Sequence, residues 1–383
     1  MSHRPFLVWV MMMNFWKIVK SKEFRIIALI VAILIIGMIG LASASHSSDP
    51  NFSNIKKQSV AIVIGAIALI AVMSIDYELY LKYWYVLYGI CLIMLVLVLF
   101  TEPKNNARSW FQFFDGKIAF QPSEISKIVL ILATAKLLTA LKRRSYSTKE
   151  YLLRILGIGV ILGVPIALIL KQPDFGTGMV FVAAVIAMVF VWGIDYKYIG
   201  YGVLALAVTV PLVYFCFLSN VQKNRINVFL DPTLDPSGAG YHVLQSKLAV
   251  GAGQVTGMGL YNGTQTQLGY LFAQTTDFIF AAIAEEMGFI VATVLIILLL
   301  SLVMSCYSVA NDARDEEGRL IVVGLSTMFA FHIFINIGMT MGLVPITGIP
   351  LPFVSYGGSA MLTNMAAIGI ILGVSIRKTG LKF

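Results

Sequence analysis

The feature that most restricts this chain is a succession of long apolar runs, read at about 26–45, 58–75, 83–100, 122–141, 152–170, 177–194, 199–218, 278–303, 320–342 and 360–376. A helix rises about 1.5 Å per residue and bilayer hydrocarbon is roughly 30 Å thick, so about 20 apolar residues suffice to cross it. The runs predict an all-α polytopic membrane protein of about ten transmembrane helices, with a long, partly helical loop between spans seven and eight. Composition agrees, because only 12% of residues are charged where a soluble domain carries about 25%. The two shortest runs, 177–194 and 360–376, are expected to lie steeply or to be enclosed by the others. No internal repeat divides the chain, so residues 1–383 read as a single membrane domain with a cap at about 219–276.

Lys and Arg in short loops are retained on the cytoplasmic side of a membrane. Here they gather as Arg4, Lys17, Lys20, Lys22 and Arg25 before the first span, Lys142, Arg143, Arg144 and Lys149 after the fourth, and Arg377, Lys378 and Lys382 at the end. Both termini are therefore expected in the cytoplasm. The net charge of +9 describes this inner rim facing anionic lipid, and nucleic-acid binding is not implied. The first run ends in LASAS, like a cleavable signal, but it exceeds the usual 7–15 apolar residues, so an uncleaved helix is expected. Residues Met1 to Trp16 suit an interfacial helix. Cys91, Cys216 and Cys306 lie singly in or beside apolar runs and read as packing residues. The stretch GAGQVTGMG at 251–259 lacks the preceding strand and following crossover helix of a nucleotide loop, so no nucleotide site is assigned.

The outer connections 101–121, 219–276 and 343–359 are rich in Pro, Gly, aromatic and charged residues. Loops beyond about 12–15 residues are uncommon unless functional or disordered, and amphipathic stretches such as YHVLQSKLAV point to a folded cap with one or two helices. Asp277 stands at the mouth of span eight, where position alone fits a helix cap as well as a general base. Glu285 and Glu286 follow on the order of 12 Å deeper and are expected to hydrogen-bond within the bundle. Glu124 and Lys127, three apart, share one helical face and can pair. Arg108 and Trp110 suit an interfacial anchor, and Asp174, beside Lys171, suits the cap of span six.

The segment GLVPITGIPLPFVSYGGS at 342–359 resembles the signature of the SEDS family (shape, elongation, division and sporulation). Further blocks agree in order and spacing: NARSW at 106–110, QPSEISK at 121–127, QPDFGTG at 172–178, and GAGYHVLQSKLAVGAG running on to TDFIFAAIAEEMGF, which ends at Phe289. GTQ at 263–265 is more similar to the elongation type, RodA, than to the division type, FtsW; a sporulation relative would look much the same. One departure is LFAQ at 271–274, where the family usually has LPE shortly before TDFIF.

The resemblance implies a peptidoglycan glycosyltransferase that polymerises lipid II into glycan strands on the outer face of the bacterial cytoplasmic membrane. Its implied partners are a class B penicillin-binding protein and other elongation-complex proteins. It also implies that Asp277 is the general base and that Trp110 lines the active cavity. Arg108, Lys117 and Lys171 become cations for pyrophosphate, and Glu124 with Lys127 shapes the cavity wall. Asp174 becomes a contact to substrate or metal, and Gln245, Lys247 and Gln265 contacts to sugar or phosphate. An α-linked donor giving a β-linked product requires a single inverting displacement with one base. The pyrophosphate leaving group needs Arg, Lys or a divalent cation, Mg or Mn, and no nucleotide. The partner's anchor is expected against spans eight and nine, where 292–305 is uniformly apolar, and its outer domain on the cap. A flippase or transporter of the lipid-linked precursor, and a pure scaffold, are the rival readings; the crowding of unusual residues at the outer rim favours surface chemistry.

Overall fold

The computed structural model describes residues 21–46, 49, 51–102, 108–113, 118–142, 147–193, 200, 220–236 and 238–377. The expected span at 199–218, Lys117, Cys216 and the segment Met1 to Trp16 lie outside them. The chain is a helical bundle: α1 (Lys22–Ser45), α2 (Ser53–Ser74), α3 (Tyr77–Lys82), α4 (Trp84–Leu97), α5 (Pro122–Lys142), α6 (Thr148–Lys171), α7 (Phe175–Trp192), α8 (Asn220–Leu230), α9 (Ala239–Ala252), α10 (Thr264–Gln267), α11 (Ile279–Ala310), α12 (Glu316–Thr340) and α13 (Gly358–Ile376). One antiparallel hairpin, β1 (Phe111–Phe113) with β2 (Ile118–Phe120), precedes α5. Seven helices are long and apolar enough to cross a membrane, which makes this a multi-pass membrane protein. Two further spans expected from the sequence appear as the shorter apolar α4 and as α5, which carries a buried ion pair.

Helix starts follow local chemistry. Ser21 caps α1, Ser147 forms a reciprocal capping box with Glu150 at α6, Asp174 caps α7 and Asp315 caps α12. Among the described residues, the most extensive helix pairing is α13 with α2, followed by α11 with α1 and with α12, and α12 with α7. The short α13, expected to lie steeply or to be enclosed, has buried residues along most of its length. A Cβ on its Gly369 would lie 2.7 Å from the Leu69 carbonyl oxygen, so glycine is what lets α2 approach.

Ion pairs gather at one end of the bundle: Lys22 with Asp312, Lys142 with Glu316, Arg314 with Glu78 and Arg377 with Asp76. The hairpin, α8, α9 and Asp277 belong to the opposite end, called the mouth below. Cys91 and Cys306 are buried free thiols, as their apolar surroundings suggest.

Candidate active site

Asp277 occupies the turn just before α11. Of its two readings from position, capping is not the one adopted: Phe278 is the cap residue and no side chain caps α11. The carboxyl is left for other work. Its turn is clamped through the main chain by the signature segment and α12. Asn336 donates through Nδ2 to the carbonyls of Asp277 (3.0 Å) and Ile349 (2.8 Å). The Ser355 hydroxyl donates to Thr276 O (2.6 Å), and Tyr356 N donates to Thr275 O (2.9 Å). Gly348 faces the carboxyl so closely that a Cβ there would lie 3.7 Å from Asp277 Oδ2. Crowding by protein pushes the Asp277 pKa up to about 6, against the opposing pull of the Arg225 charge and a hydrogen bond from Thr276. A carboxylate poised near neutral pH is suited to general-base work.

A buried polar column descends from this turn. Lys127 Nζ lies 2.8 Å from Glu124 Oε1 and 2.9 Å from His332 Nε2, and all three side chains are buried. His332 Nδ1 lies 3.2 Å from the Pro350 carbonyl. A carbonyl only accepts, so Nδ1 carries the proton and Nε2 accepts from the lysine. His332 and Asn336 are one turn apart on α12 and thus connect the Glu124–Lys127 pair to the loop beside Asp277. Sequence reading did not single out either residue; their polarity within the apolar run FHIFIN was the available signal.

Asp174 caps α7 by accepting from Thr177 N (3.2 Å) on one oxygen. Its other oxygen accepts from Gln121 Nε2 and Ser123 Oγ, each at 2.9 Å. Ser359, at the start of α13, donates to Ala119 O on β2 and accepts from Gln121 N. Ser109 Oγ donates to Gln172 O. These bonds bring the NARSW, QPSEISK, QPDFGTG and signature blocks to one end of the bundle. Trp110 is half-buried beside the hairpin, whereas Arg108 is exposed and donates back to Leu99 O (3.3 Å), and Lys171 is exposed at the end of α6. Neither cation makes a hydrogen bond or ion pair to the Asp277 turn in the structure.

On α9, Gln245 is half-buried, and Lys247 lays its side chain over the start of the signature loop, where a Cβ on Gly342 would lie 2.5 Å from its Nζ. Gln265 donates its main-chain N–H to Glu285, while its buried Oε1 has no partner among the described residues.

The role expected for Glu285 and Glu286 is seen in detail. Glu285 accepts from Gln265 N (2.7 Å), Thr266 N (3.0 Å) and Thr266 Oγ1 (2.6 Å), and Glu286 accepts from Gln267 Nε2 (2.6 Å). Gly263 of the GTQ block is needed for this approach, because a Cβ there would lie 2.8 Å from Glu285 Oε2. Just beyond, α11 breaks at Gly288, which has φ +77°. The GAGQVTGMG segment fills the break. Met258 N and Gly259 N donate to the carbonyls of Glu285 and Glu286, and Phe289 N and Ile290 N donate to Gln254 O and Val255 O. These four bonds give freed backbone groups on both sides of the break protein partners, as an apolar setting favours. Gln274 donates through Nε2 to Ala44 O at the end of α1 (2.6 Å), a bond an ionised glutamate could not make.

Among the described residues, no three Asp, Glu, His or Cys side chains gather to hold a metal ion. Asp174 already accepts three hydrogen bonds through its two oxygens, whereas the Asp277 carboxylate is of the kind that hard cations such as Mg²⁺ take as a ligand.

The profile of the FtsW, RodA and SpoVE family, described as cell cycle protein, matches residues 23–380. The chain belongs to this family. Among its relatives, the peptidoglycan glycosyltransferase MrdB of Escherichia coli K12 is 34% identical over 363 residues, covering 94% of this chain and 95% of MrdB. The stage V sporulation protein E of Bacillus subtilis is 36% identical over 364 residues, covering 93% and 97%. A solved family structure, from work on the coordination of polymerization and crosslinking by a peptidoglycan synthase complex, superposes with a TM-score of 0.77 at 29% identity, covering 93% of this chain and 98% of that one.

Proposed function

We propose that this chain is a peptidoglycan glycosyltransferase that polymerises lipid II into glycan strands during cell elongation, with Asp277 as general base. The observation that carries the assignment of the base is the carboxyl itself, which caps no helix, faces the signature loop and is held near neutral pKa. Asp277 takes the proton of the acceptor hydroxyl while that oxygen attacks the donor's anomeric carbon. The bond to pyrophosphate breaks on the opposite side, with inversion. Lys247 at the loop's edge, with Arg108 and Lys171 around the rim, supplies positive field for the anionic donor, and Lys117, outside the described residues, is proposed from the sequence for the same role. Trp110 and Gln245 offer surfaces for sugar, and the Glu124–Lys127–His332 column keeps the cavity wall in register. Asp277 is the carboxylate that would hold a divalent cation, which would supply positive charge for the pyrophosphate; the residues require no nucleotide.

The clustering of Lys22, Lys142, Arg314 and Arg377 at the far end supports a cytoplasmic location for that end and both termini, and an extracellular mouth. The coordination of polymerization with crosslinking in that synthase complex suggests a crosslinking partner, a class B penicillin-binding protein. Its anchor fits the exposed stripe Ile290, Val294, Ile297, Leu300 and Met304 on α11. Because α12 is largely enclosed and exposes Phe334 as its main apolar side chain, span eight supplies most of that contact.

The test is to incubate the purified protein with lipid II in detergent and digest the product with a muramidase specific for β-1,4 linkages. A digestible polymer is the expected product. Movement of labelled lipid II across proteoliposomes without polymer would replace the enzyme by a transporter.

A further inference from the structure

Among the described residues, the mouth holds one cation that faces Asp277 electrostatically, and it is absent from every motif considered above. Arg225 lies on α8, half-buried, and lines a small pocket with Pro345 and Ile346 of the signature loop. Two residues further along that loop is Gly348, which faces the Asp277 carboxyl. Between them, the Thr347 hydroxyl is buried without a hydrogen-bond partner. One strip of loop is thus bordered by a guanidinium on one side and a carboxyl on the other, with an unspent hydroxyl in the middle. Arg225 makes no hydrogen bond or ion pair among the described residues, although its charge acts on Asp277. A half-buried guanidinium whose five N–H donors find no acceptor among the described residues is costly unless water or a ligand meets them.

The helix that carries Arg225 is tied to α9. The Asp235 carboxylate receives Asn224 Nδ2 (3.4 Å) from α8 and Ala239 N (3.0 Å) from α9. In turn α9 is pinned to the end of α12 by Ser246 Oγ donating to Thr340 O (2.8 Å). The cap therefore holds Arg225 over the signature loop on a braced pair of helices. Arg225 acts on Asp277 through its charge, and the two make no ion pair among the described residues.

We propose that Arg225 binds the donor's pyrophosphate across the mouth from Asp277, with the Thr347 hydroxyl between them as a further donor to a phosphate oxygen. This rests on the glycosyltransferase reading. During transfer the acceptor oxygen forms its bond to the anomeric carbon and its proton passes to Asp277. The bond from that carbon to the pyrophosphate oxygen breaks, and the leaving oxygen keeps the electron pair. Arg225 stabilises that growing charge through its fork of donors, a geometry lysine lacks. A cation on one side and a base on the other suit in-line displacement, because the leaving and entering oxygens lie on opposite faces of the reacting carbon.

The experiment uses full-length protein in nanodiscs, with Arg225→Gln and Arg225→Lys beside wild type. Undecaprenyl pyrophosphate is the binding probe and undecaprenol the control; polymerisation of lipid II is followed in parallel across pH. Losing a charge-assisted hydrogen bond weakens binding by roughly ten-fold or more. Arg225→Gln is therefore expected to weaken undecaprenyl pyrophosphate binding by at least about that factor, leave undecaprenol binding unchanged and slow polymerisation; Arg225→Lys is expected to recover part of the binding. Wild-type affinity for undecaprenyl pyrophosphate in Arg225→Gln would overturn the proposal, whether polymerisation survived or fell with only a shifted pH profile. If wild type formed no polymer, the glycosyltransferase reading would fail, and the binding comparison would still decide whether Arg225 holds a pyrophosphate.

Discussion

The raised pKa of Asp277 makes stability and activity oppose one another at this residue. Its carboxyl ionises near pH 6 in the folded protein against 3.8 when free. Between these values the folded state holds a proton that the unfolded chain has released, so stability present below about pH 4 is lost as pH rises toward 6. The shift corresponds to at most about 3 kcal/mol at pH 7, reduced by whatever water reaches the open side of the carboxyl. Asp277→Asn keeps the shape and removes the ionisation. It is expected to raise the thermal midpoint of the detergent-solubilised protein by a few degrees at pH 7.5, with the gap closing toward pH 4.5. The midpoints are read by intrinsic fluorescence at one scan rate, since membrane proteins often unfold irreversibly. A gap independent of pH, or a variant less stable than wild type at pH 7.5, would show that the carboxyl is not held in the crowded setting described here.

Lys127→Met strands the buried Glu124 and is expected to cost about 3–5 kcal/mol, while adding Glu124→Gln restores most of the midpoint; equal midpoints for the single and double variants would refute the pairing. Gly288→Ala forces a left-handed backbone at φ +77° and puts a Cβ 2.2 Å from Gly257 N, so monodisperse yield in size-exclusion chromatography should fall sharply. Gly159→Ala, on α6 with nothing within 4 Å, should match wild type. Asp174→Ala removes the acceptor of Thr177, Gln121 and Ser123, and should lower the midpoint by the equivalent of about 1–2 kcal/mol. Polymerisation by wild type is expected to hold steady above roughly pH 7 and to fall about ten-fold per unit below pH 6 as Asp277 takes up its proton.

The membrane architecture was legible because the bilayer demands long apolar runs, and nine of the ten expected spans have a counterpart among the described helices. Caps such as Asp174 were legible for the same local reason. The break at Gly288 was not, since AEEMGFIVATV continues an apolar helical pattern and the left-handed residue is stabilised only by backbone bonds to 254–259. Nor could spacing reveal that His332 would meet Lys127, or that Asn336 would hold the Asp277 carbonyl, because those partners are 205 and 59 residues away. Arg225 was missed for a related reason: on α8 it looks like one more polar cap residue, and its significance comes from how Asp235 braces α8 against α9. Resemblance pointed to Asp277, but only the structure excludes its alternative as a helix cap.

Polymer formation by this chain is expected to depend on Asp277. Wild type and Asp277→Asn, purified side by side to the same monodispersity, are given the same lipid II with no other glycosyltransferase present, and glycan chains are resolved by gel. Wild type is predicted to produce a ladder of muramidase-sensitive strands and Asp277→Asn none. Strands formed by Asp277→Asn at the wild-type rate would contradict the assignment of Asp277 as the base.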